Sequence, residues 1–472
     1  MSFFGSMTTA ITGIRAQSSA LGYISDNIAN SQTTGFKRTD ASFYDIVTAS
    51  SENFHQPGAV VAKPSFTNTV QGSVDASQVS TNMAINGEGF FIVSQRVATS
   101  DNNPVFQDVN YYTRRGDFQM DKNGYLVNGG GYYLQGLAID PTTNNPVGST
   151  PSVIQVNNGF LTAKQTTSIT YTANLPSYPQ TAHASALFNS AGSELLETAA
   201  EKTAATTFHN DPAGAGVGDG VVQAQDEQAF LDRSVSGGAI TGYDGQGNPV
   251  NVQLRWVKTE NAAGDGGTAT GDTWHLFYKS DDSATGTSAK WTDVGQAYKF
   301  DSSGQLSPAV VSTTISNLTV NGVSLGDVSL YHGPGNITQF SDNNGTVSVN
   351  KIDQDGYASG QLVSVAVAEN GRVTGTYTNG KTIDIFQVSL AKFNNPDALR
   401  KMNGTAYAET QDSGAPILGG TGEIVAQSLE ASNVDLADEF SKLIIAQQAY
   451  TAGTRIITTS DQLIQETLNM KR

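Results

Sequence analysis

Two apolar rows with a seven-residue repeat, one at each end, constrain this chain more than any other feature. Near the start Met7, Ile14, Leu21 and Ile28 recur every seven residues, with Ile11, Ser18 and Ser25 at the interleaved spacing. Near the end Leu436, Leu443, Tyr450, Ile457 and Ile464 repeat the design, beside a mixed row of Phe440, Gln447, Thr454, Asp461 and Leu468. On a helix such rows share one face and form an a/d seam. The spacing predicts helices over 6–29 and 435–470, about 36 and 54 Å long at 1.5 Å per residue. Asn30 is expected to stop the first by adopting a left-handed conformation. Asn433 or Asp435 is expected to cap the second, with Asp438 and Glu439 near its positive end. Gly453 inside the second helix costs about 1 kcal/mol relative to alanine. An apolar helix face has to be buried, and no third helix of matching pattern lies between. The two ends are therefore expected to pair, either as a flap on a globular body or as pairs that pack on pairs from other copies.

Between the ends the pattern is β. "GFFIVS" (89–94), "YYTRRGDFQM" (111–120) and "GYYLQGLAI" (131–139) read as short strands, and Asn123-Gly124 reads as a hairpin turn. Two further Asn-Gly turns nine residues apart within 363–393 predict a three-stranded meander. The region 150–355 differs, with a low-complexity stretch (198–222) and aromatic strands such as "NVQLRWV" and "TWHLFYK". The expected class is mixed α and β, multidomain, with long terminal helices pairing as a coiled coil around discontinuous all-β middle domains. The expected domains are 1–30 with 433–472 as paired helices, 31–75 as an extended linker, 76–149 with 356–432 as one β domain, and 150–355 as an inserted outer β domain.

Composition narrows the function. The net charge of −17 opposes a nucleic-acid partner and an anionic membrane surface, because affinity for phosphate rests on Lys and Arg. The chain has no cysteine, which excludes disulfides, thiolate metal sites and cysteine nucleophiles. Its five histidines, at 55, 183, 209, 275 and 332, are scattered, so no metal site and no cofactor are expected. The first residues lack the basic and continuous apolar regions of a cleavable signal, and no apolar run reaches the ~18 residues of a membrane span. By these signals alone the chain reads as soluble and cytoplasmic.

No catalytic constellation emerges. "GVSLG" (322–326) matches G-x-S-x-G, but the residues after it do not read as the helix that a nucleophilic Ser324 needs. "GAGVGDG" (214–220) lacks the strand before and helix after that a phosphate loop requires. Asp281-Asp282 and Asp353/Asp355 read as turn residues rather than calcium ligands. The aromatics of 250–300 read as buried strand residues rather than a carbohydrate platform. The chain is not expected to be an enzyme.

"ALGYISDNIANSQTTGFKR" and "LEASNVDLADEFSKLIIAQQAYTAGTRIITTSDQLIQETLNMKR" resemble the N- and C-terminal signatures of the bacterial flagellar rod and hook proteins. "MAINGEGFFIV" (83–93) and "RRGDF" (114–118) resemble that family's first β-domain strands. The signature residues carried over are Asn27, Asn30, Thr33, Thr34, Gly35, Phe36, Lys37, Asn433 and Asp435. Rod members are shorter, so the large 150–355 region points to the hook; 183–235 has no counterpart. The resemblance implies a structural subunit of the hook. It would self-assemble into a hollow, curved helical tube joining rod to filament, transmit motor torque as a universal joint, and lie outside the cell after export without a cleaved signal. Implied partners are further copies of the chain, the rod and hook-filament junction proteins, the hook cap during assembly and the flagellar type III export apparatus, with no membrane insertion. That overturns the cytoplasmic reading. The subunit-interface seam would be Met7, Ile11, Ile14, Leu21, Ile28, Leu436, Phe440, Leu443, Tyr450, Ile457, Ile464 and Leu468. The alternatives are a distal rod protein or a secreted β-rich adhesin.

Overall fold

The computed structural model describes every residue except 1–2, 52–53, 101–102, 142, 158, 198–200, 202–219, 263–270, 420–421 and 471–472. Most of the Gly-rich loop 214–220, and His209, lie outside the described residues. The rest is mostly strand, with one long helix at each end, Phe3–Ala29 and Leu436–Met470. Among the described residues no helix is long and apolar enough to cross a membrane. The chain divides into two compact units, 1–159 with 362–472, and 160–361. The second unit thus begins about ten residues after the 150, and ends about six after the 355, read from the sequence.

The first unit is built on an antiparallel sheet. Its neighbouring strands run, in order, Gly360–Val367, Arg372–Tyr377, Thr382–Val388, Tyr132–Ala138, Phe90–Ser100, Asn103–Thr113, Ala406–Ala408 and Arg400–Lys401. The sheet interleaves chain from before and after the second unit: Phe386 faces Ala138, and Ala406 faces Thr113. The turns follow their local chemistry. Gly371 and Gly380 close the 360–388 meander at φ 75° and 76°, and Gly124 closes the 119–127 hairpin at φ 83°. The strand from Phe90 is buried on both faces because successive side chains alternate. Phe91 and Val93 join Phe118, Leu134 and Val373, whereas Phe90 and Ile92 join Tyr112, Phe393 and Tyr407.

Residues 31–75 are not an extended linker. They hold a two-stranded antiparallel ribbon, Thr39–Ser51 against Phe54–Phe66, with Thr39 opposite Phe66 and Ser51 opposite Phe54. The ribbon contains Pro57, Gly58 and Pro64, residue types that weaken a central strand. A two-stranded ribbon, however, is all edge, and an edge has outward positions where a missing N–H costs nothing. The ladder also shifts register at Val47, opposite Pro57, which absorbs the remaining irregularity.

The second unit has two five-stranded sheets. One is an antiparallel array of Val221–Gln223, Ala289–Phe300, Asp272–Lys279, Pro249–Glu260 and Val235–Tyr243. The other centres on Ser168–Leu175, which pairs with Val323–Tyr331, Ile337–Gln339 and Ser348–Gln354. Their inner faces share one core containing Tyr171, Trp256, Trp274, Tyr298 and Leu330. A short helix, Glu227–Arg233, lays Phe230 against Phe277 and Trp291 in a smaller cluster. The aromatics of 250–300 are thus core residues. Ser324 lies on a hairpin strand after the Asn321-Gly322 turn, with its hydroxyl donating to Asn317 Oδ1 at 2.8 Å. That is no strand-to-helix elbow, so it fails the geometry of a nucleophile.

The core of the second unit holds a buried polar chain. Trp256 Nε1 donates to Tyr171 Oη at 2.9 Å, and Tyr171 Oη donates to the Gly237 carbonyl at 2.9 Å. His332 bridges the Tyr171 carbonyl at 2.9 Å and Tyr298 Oη at 2.9 Å. Burial pushes the His332 imidazole below its ordinary value of 6.5, against the smaller pull of the Tyr171 carbonyl. As pH falls below 6.5 the unfolded chain takes up a proton that the folded imidazole refuses, so stability falls with pH. All three tryptophans lie in this unit, so their fluorescence reports it alone. We expect the midpoint of tryptophan-monitored melting to drop between pH 7 and 5, with a shallower drop in His332→Gln. An equal slope in that variant would assign the acid sensitivity elsewhere.

Candidate assembly surface

The N-terminal helix is held between two partners rather than one. Thr9 Oγ1 donates to the Gly58 carbonyl at 2.9 Å, and Val60 N donates to Thr12 Oγ1 at 3.3 Å, which ties one side to the ribbon. On another side Ile14 meets the C-terminal helix at Gly453, where an added Cβ would lie 2.7 Å from Ile14 Cγ1. Gly453 is therefore required for close approach, and its helix-propensity cost is the cost of that contact. The ribbon supplies the third packing surface that no helix in the sequence offered.

This arrangement moves the buried rows. On the N-terminal helix Ala16, Ala20, Ile24 and Asn27 are buried, while Met7, Ile11, Ile14, Leu21 and Ile28 are half-buried. On the C-terminal helix the buried residues are Glu439, Ala446 and Ser460, on the same seven-residue spacing as Gly453. Leu443, Ile457 and Ile464 flank them half-buried. Leu436, Phe440 and Tyr450 are exposed, as are Ile444, Ile445, Ile456 and Leu463; the Leu468 side chain lies outside the described residues. The row on that spacing is Glu439, bonded to Asn27, followed by the small residues Ala446, Gly453 and Ser460, and not the mixed row of Phe440, Gln447 and Thr454. Small residues let the two backbones come together, and the large ones then flank the contact instead of filling it.

The signature residues lie where helix, ribbon and β domain meet, and they bond within the chain. Asn27 acts as a strand partner to Thr39: its Nδ2 donates to the Thr39 carbonyl at 3.0 Å and its Oδ1 accepts from Thr39 N at 2.9 Å. The same Nδ2 reaches Glu439 Oε2 at 3.0 Å, joining both helices. Asn30 ends its helix by side-chain bonding, not by a left-handed turn: Nδ2 donates to the Asp26 carbonyl at 2.9 Å, and Oδ1 accepts from Thr33 Oγ1 at 3.1 Å. The left-handed residue is Gly35, at φ 67°, after a half-buried Thr34. A Cβ there would come within 2.7 Å of Arg115 N, and Gly35 N donates to the Glu430 carbonyl at 2.8 Å. Asn433 accepts from Arg38 N at 2.7 Å and donates to the Val70 carbonyl at 3.1 Å. The cap of the C-terminal helix is Asp435, whose Oδ1 accepts from Ala437 N at 2.8 Å and Asp438 N at 3.3 Å.

At the centre is a buried charge cluster. The Lys37 ammonium and the Glu430 carboxylate, both without exposed side-chain surface, are paired directly. Arg114 Nη1 approaches the other carboxylate oxygen at 3.4 Å. Two cations share one anion, and backbone carbonyls offset the excess: Val70 for Lys37 at 2.6 Å, and Gly87 for Arg114 at 2.7 Å. Burial pushes the Lys37 ammonium below the ordinary lysine value, opposed by the charge of Glu430. Below Phe36 and Phe66, Lys401 donates to the Lys37 carbonyl at 2.6 Å and Thr39 Oγ1 at 2.7 Å, its ammonium 5.1 and 5.2 Å from the two rings. Burial pushes it down to about 8. Lys442 closes the outer rim, bonded to Asp40 at 3.0 Å, Asp438 at 2.9 Å and Glu439 at 3.0 Å. Sequence reasoning did not single out Arg114, Lys401, Glu430 or Lys442, and it placed Glu439 only as an acid near the helix N-terminus. Arg114 and Glu430 stood inside the quoted signature stretches, whereas Lys401 carried no local sign. No group of metal-ligating side chains occurs among the described residues.

The charge count makes a prediction. Glu430→Gln strands two buried cations and should cost about 3–5 kcal/mol. Lys37→Met leaves Glu430 compensated by Arg114 and should cost clearly less. Urea unfolding followed by far-UV circular dichroism would measure both, with tryptophan fluorescence as the control for the second unit. The reverse order would contradict the two-cation reading.

Four family models match the chain, together over more than half of it. They are the flagella basal body rod protein at 7–37, the flagellar hook protein FlgE/F/G D1 domain at 84–174, the flagellar basal body protein FlaE D2 domain at 221–357, and the flagellar basal body rod FlgEFG protein C-terminal model at 425–470. The flagellar hook protein FlgE of Caulobacter vibrioides is 28% identical, with 100% of both chains covered. Those of Rhizobium meliloti and Escherichia coli are each 29% identical, covering 100% and 98% of this chain and 100% and 99% of theirs. The crystal structure of Helicobacter pylori flagellar hook protein FlgE2 superposes with a TM-score of 0.51 at 16% identity, covering 75% of this chain and 100% of that one. The rod models fall on the terminal helices, the D1 and D2 models on the two β units, and end-to-end relatives carry the hook name: the chain belongs to the flagellar rod and hook protein family.

Proposed function

We propose that this chain is the structural subunit of a bacterial flagellar hook, working by self-assembly and not by catalysis. The observation that carries the reading is the outer surface of the C-terminal helix. Leu436, Phe440, Ile444, Ile445, Ile456 and Leu463 are all exposed in the single chain, Ile445 at 66%. They form two apolar rows, Leu436, Phe440 and Ile444 on one face and Ile445, Ile456 and Leu463 on another, and exposed apolar surface of that kind marks a contact with another molecule. Full-length relatives named hook proteins favour further copies of this chain over the rod or adhesin readings.

In this reading the paired terminal helices, as a coiled coil, line the inner wall of a hollow tube. A heterologous contact repeated without closure generates that tube. The charge cluster at Glu430 sets the angle at which the helices leave the β domain. The low-charge β surface, rich in Ser, Thr, Asn and Gly, exchanges hydrogen bonds with neighbours and water at little net cost, which suits contacts that slide as a curved hook turns. Export through the flagellar type III apparatus, assembly under the hook cap, a place outside the cell and junctions with rod and filament-side proteins belong to the same proposal and rest on the family resemblance.

Purified full-length protein should form short curved tubes visible by electron microscopy. Ile445→Asp should leave the tryptophan-monitored melt unchanged and keep the protein in the supernatant on sedimentation. It loses about 1.5–3 kcal/mol of burial per subunit and adds a carboxylate desolvation cost. Straight polymers would move the reading to a rod protein, and normal tubes from Ile445→Asp would remove this helix face from the contact.

A further inference from the structure

The N-terminal helix contains Gly13, where an added Cβ would meet nothing within 4 Å. A mid-helix glycine costs about 1 kcal/mol relative to alanine. Gly453 has its reason within the chain, in Ile14; Gly13 has none there. It floors an apolar hollow of about 550 Å³, whose walls are Ala449, Ala452 and Ile456 on one side and Val60 of the ribbon on the other. A second hollow of about 440 Å³, floored by Ala20 and Ile24 and walled by Ile445 and Phe43, shares Gln17 with the first. Ala10, Gly13, Gln17, Ala20 and Ile24 follow the three-four spacing of one helix face, so the two hollows make one groove with a helical floor.

The chain also carries a surface of matching kind. Leu436, Phe440 and Ile444 stand at i, i+4 and i+8 on the C-terminal helix, 44%, 50% and 54% exposed. That is the anchor pattern of a helix laid into an apolar groove. We propose that the groove over Gly13 receives the C-terminal helix of a second copy, with Phe440 seated above Gly13. Groove and anchors lie at different places on the same chain, so each copy offers one and uses the other, and the contact propagates without closing. A side chain at 13 would occupy the space that the incoming ring needs, which accounts for the glycine. The inference rests on the self-assembly reading and names its contact.

Within one copy residues 13 and 440 cannot meet. Gly13 adjoins Ile14, which packs at Gly453, about 20 Å along the helix from Phe440 at 1.5 Å per residue, whereas a disulfide needs Cα atoms within about 7 Å. The chain has no cysteine of its own. Full-length Gly13→Cys and Phe440→Cys subunits, each diluted in wild type and polymerised together, should give a disulfide-linked dimer on oxidation. Neither variant alone with wild type should give it. Gly13→Leu, which closes the groove while improving helix propensity, should raise the critical concentration for polymerisation about tenfold or more. Absence of the mixed dimer from tubes that form normally, or wild-type assembly of Gly13→Leu, would overturn the inference. Failure of wild-type protein to polymerise at all would instead overturn the self-assembly reading.

Discussion

The structure depends on the burial of one carboxylate between two cations. Glu430 lies just before the C-terminal helix, Lys37 just after the N-terminal one, and Arg114 in the β domain. Removing three charges from water carries a large penalty, which Coulomb attraction repays only where geometry is tight and the remaining donors are satisfied. Here the Val70 carbonyl takes the Lys37 ammonium, and the Ile85 and Gly87 carbonyls take the two Arg114 Nη groups, which leaves the buried Arg114 Nε as the one unbonded nitrogen of the cluster. Such a cluster contributes less to net stability than to uniqueness, because few other arrangements of the chain ends would keep all three groups bonded. It ties the segments next to both helices to the β domain, which the regular polymer proposed above would require of every copy.

The surrounding signature residues follow from that constraint. Gly35 turns left-handed so that its N–H meets the Glu430 carbonyl, and no side chain fits against Arg115 there. Asn27 replaces a strand neighbour for Thr39 and holds Glu439 of the other helix. Asn433 joins the turn after Lys37 to the segment at Val70. Residues that mark the family thus serve the chain's own architecture, while the surfaces proposed above for other copies are plain apolar residues on a helix and a groove of small ones. The second unit obtains its uniqueness by different means, a buried chain of Trp256, Tyr171, His332 and Tyr298 inside an aromatic core.

By itself the sequence determined the features that are local. Apolar spacing located both helices, Asn-Gly pairs located the turns at 124, 371 and 380, and Asp435 was one of two caps anticipated. These succeed because periodicity and turn chemistry act within a few residues. Tertiary structure decided what depends on distant partners. The segment 31–75 became a ribbon because pairing strands tolerate proline at an edge, which single-strand pattern does not reveal. The buried row on the C-terminal helix became Glu439, Ala446 and Ser460, in register with a half-buried Gly453, because Ile14, more than four hundred residues away in sequence, needs room at Gly453. Glu430 found Lys37 and Arg114 only once three separate elements had converged, and charges so far apart carry no mark of their meeting until the fold brings them together.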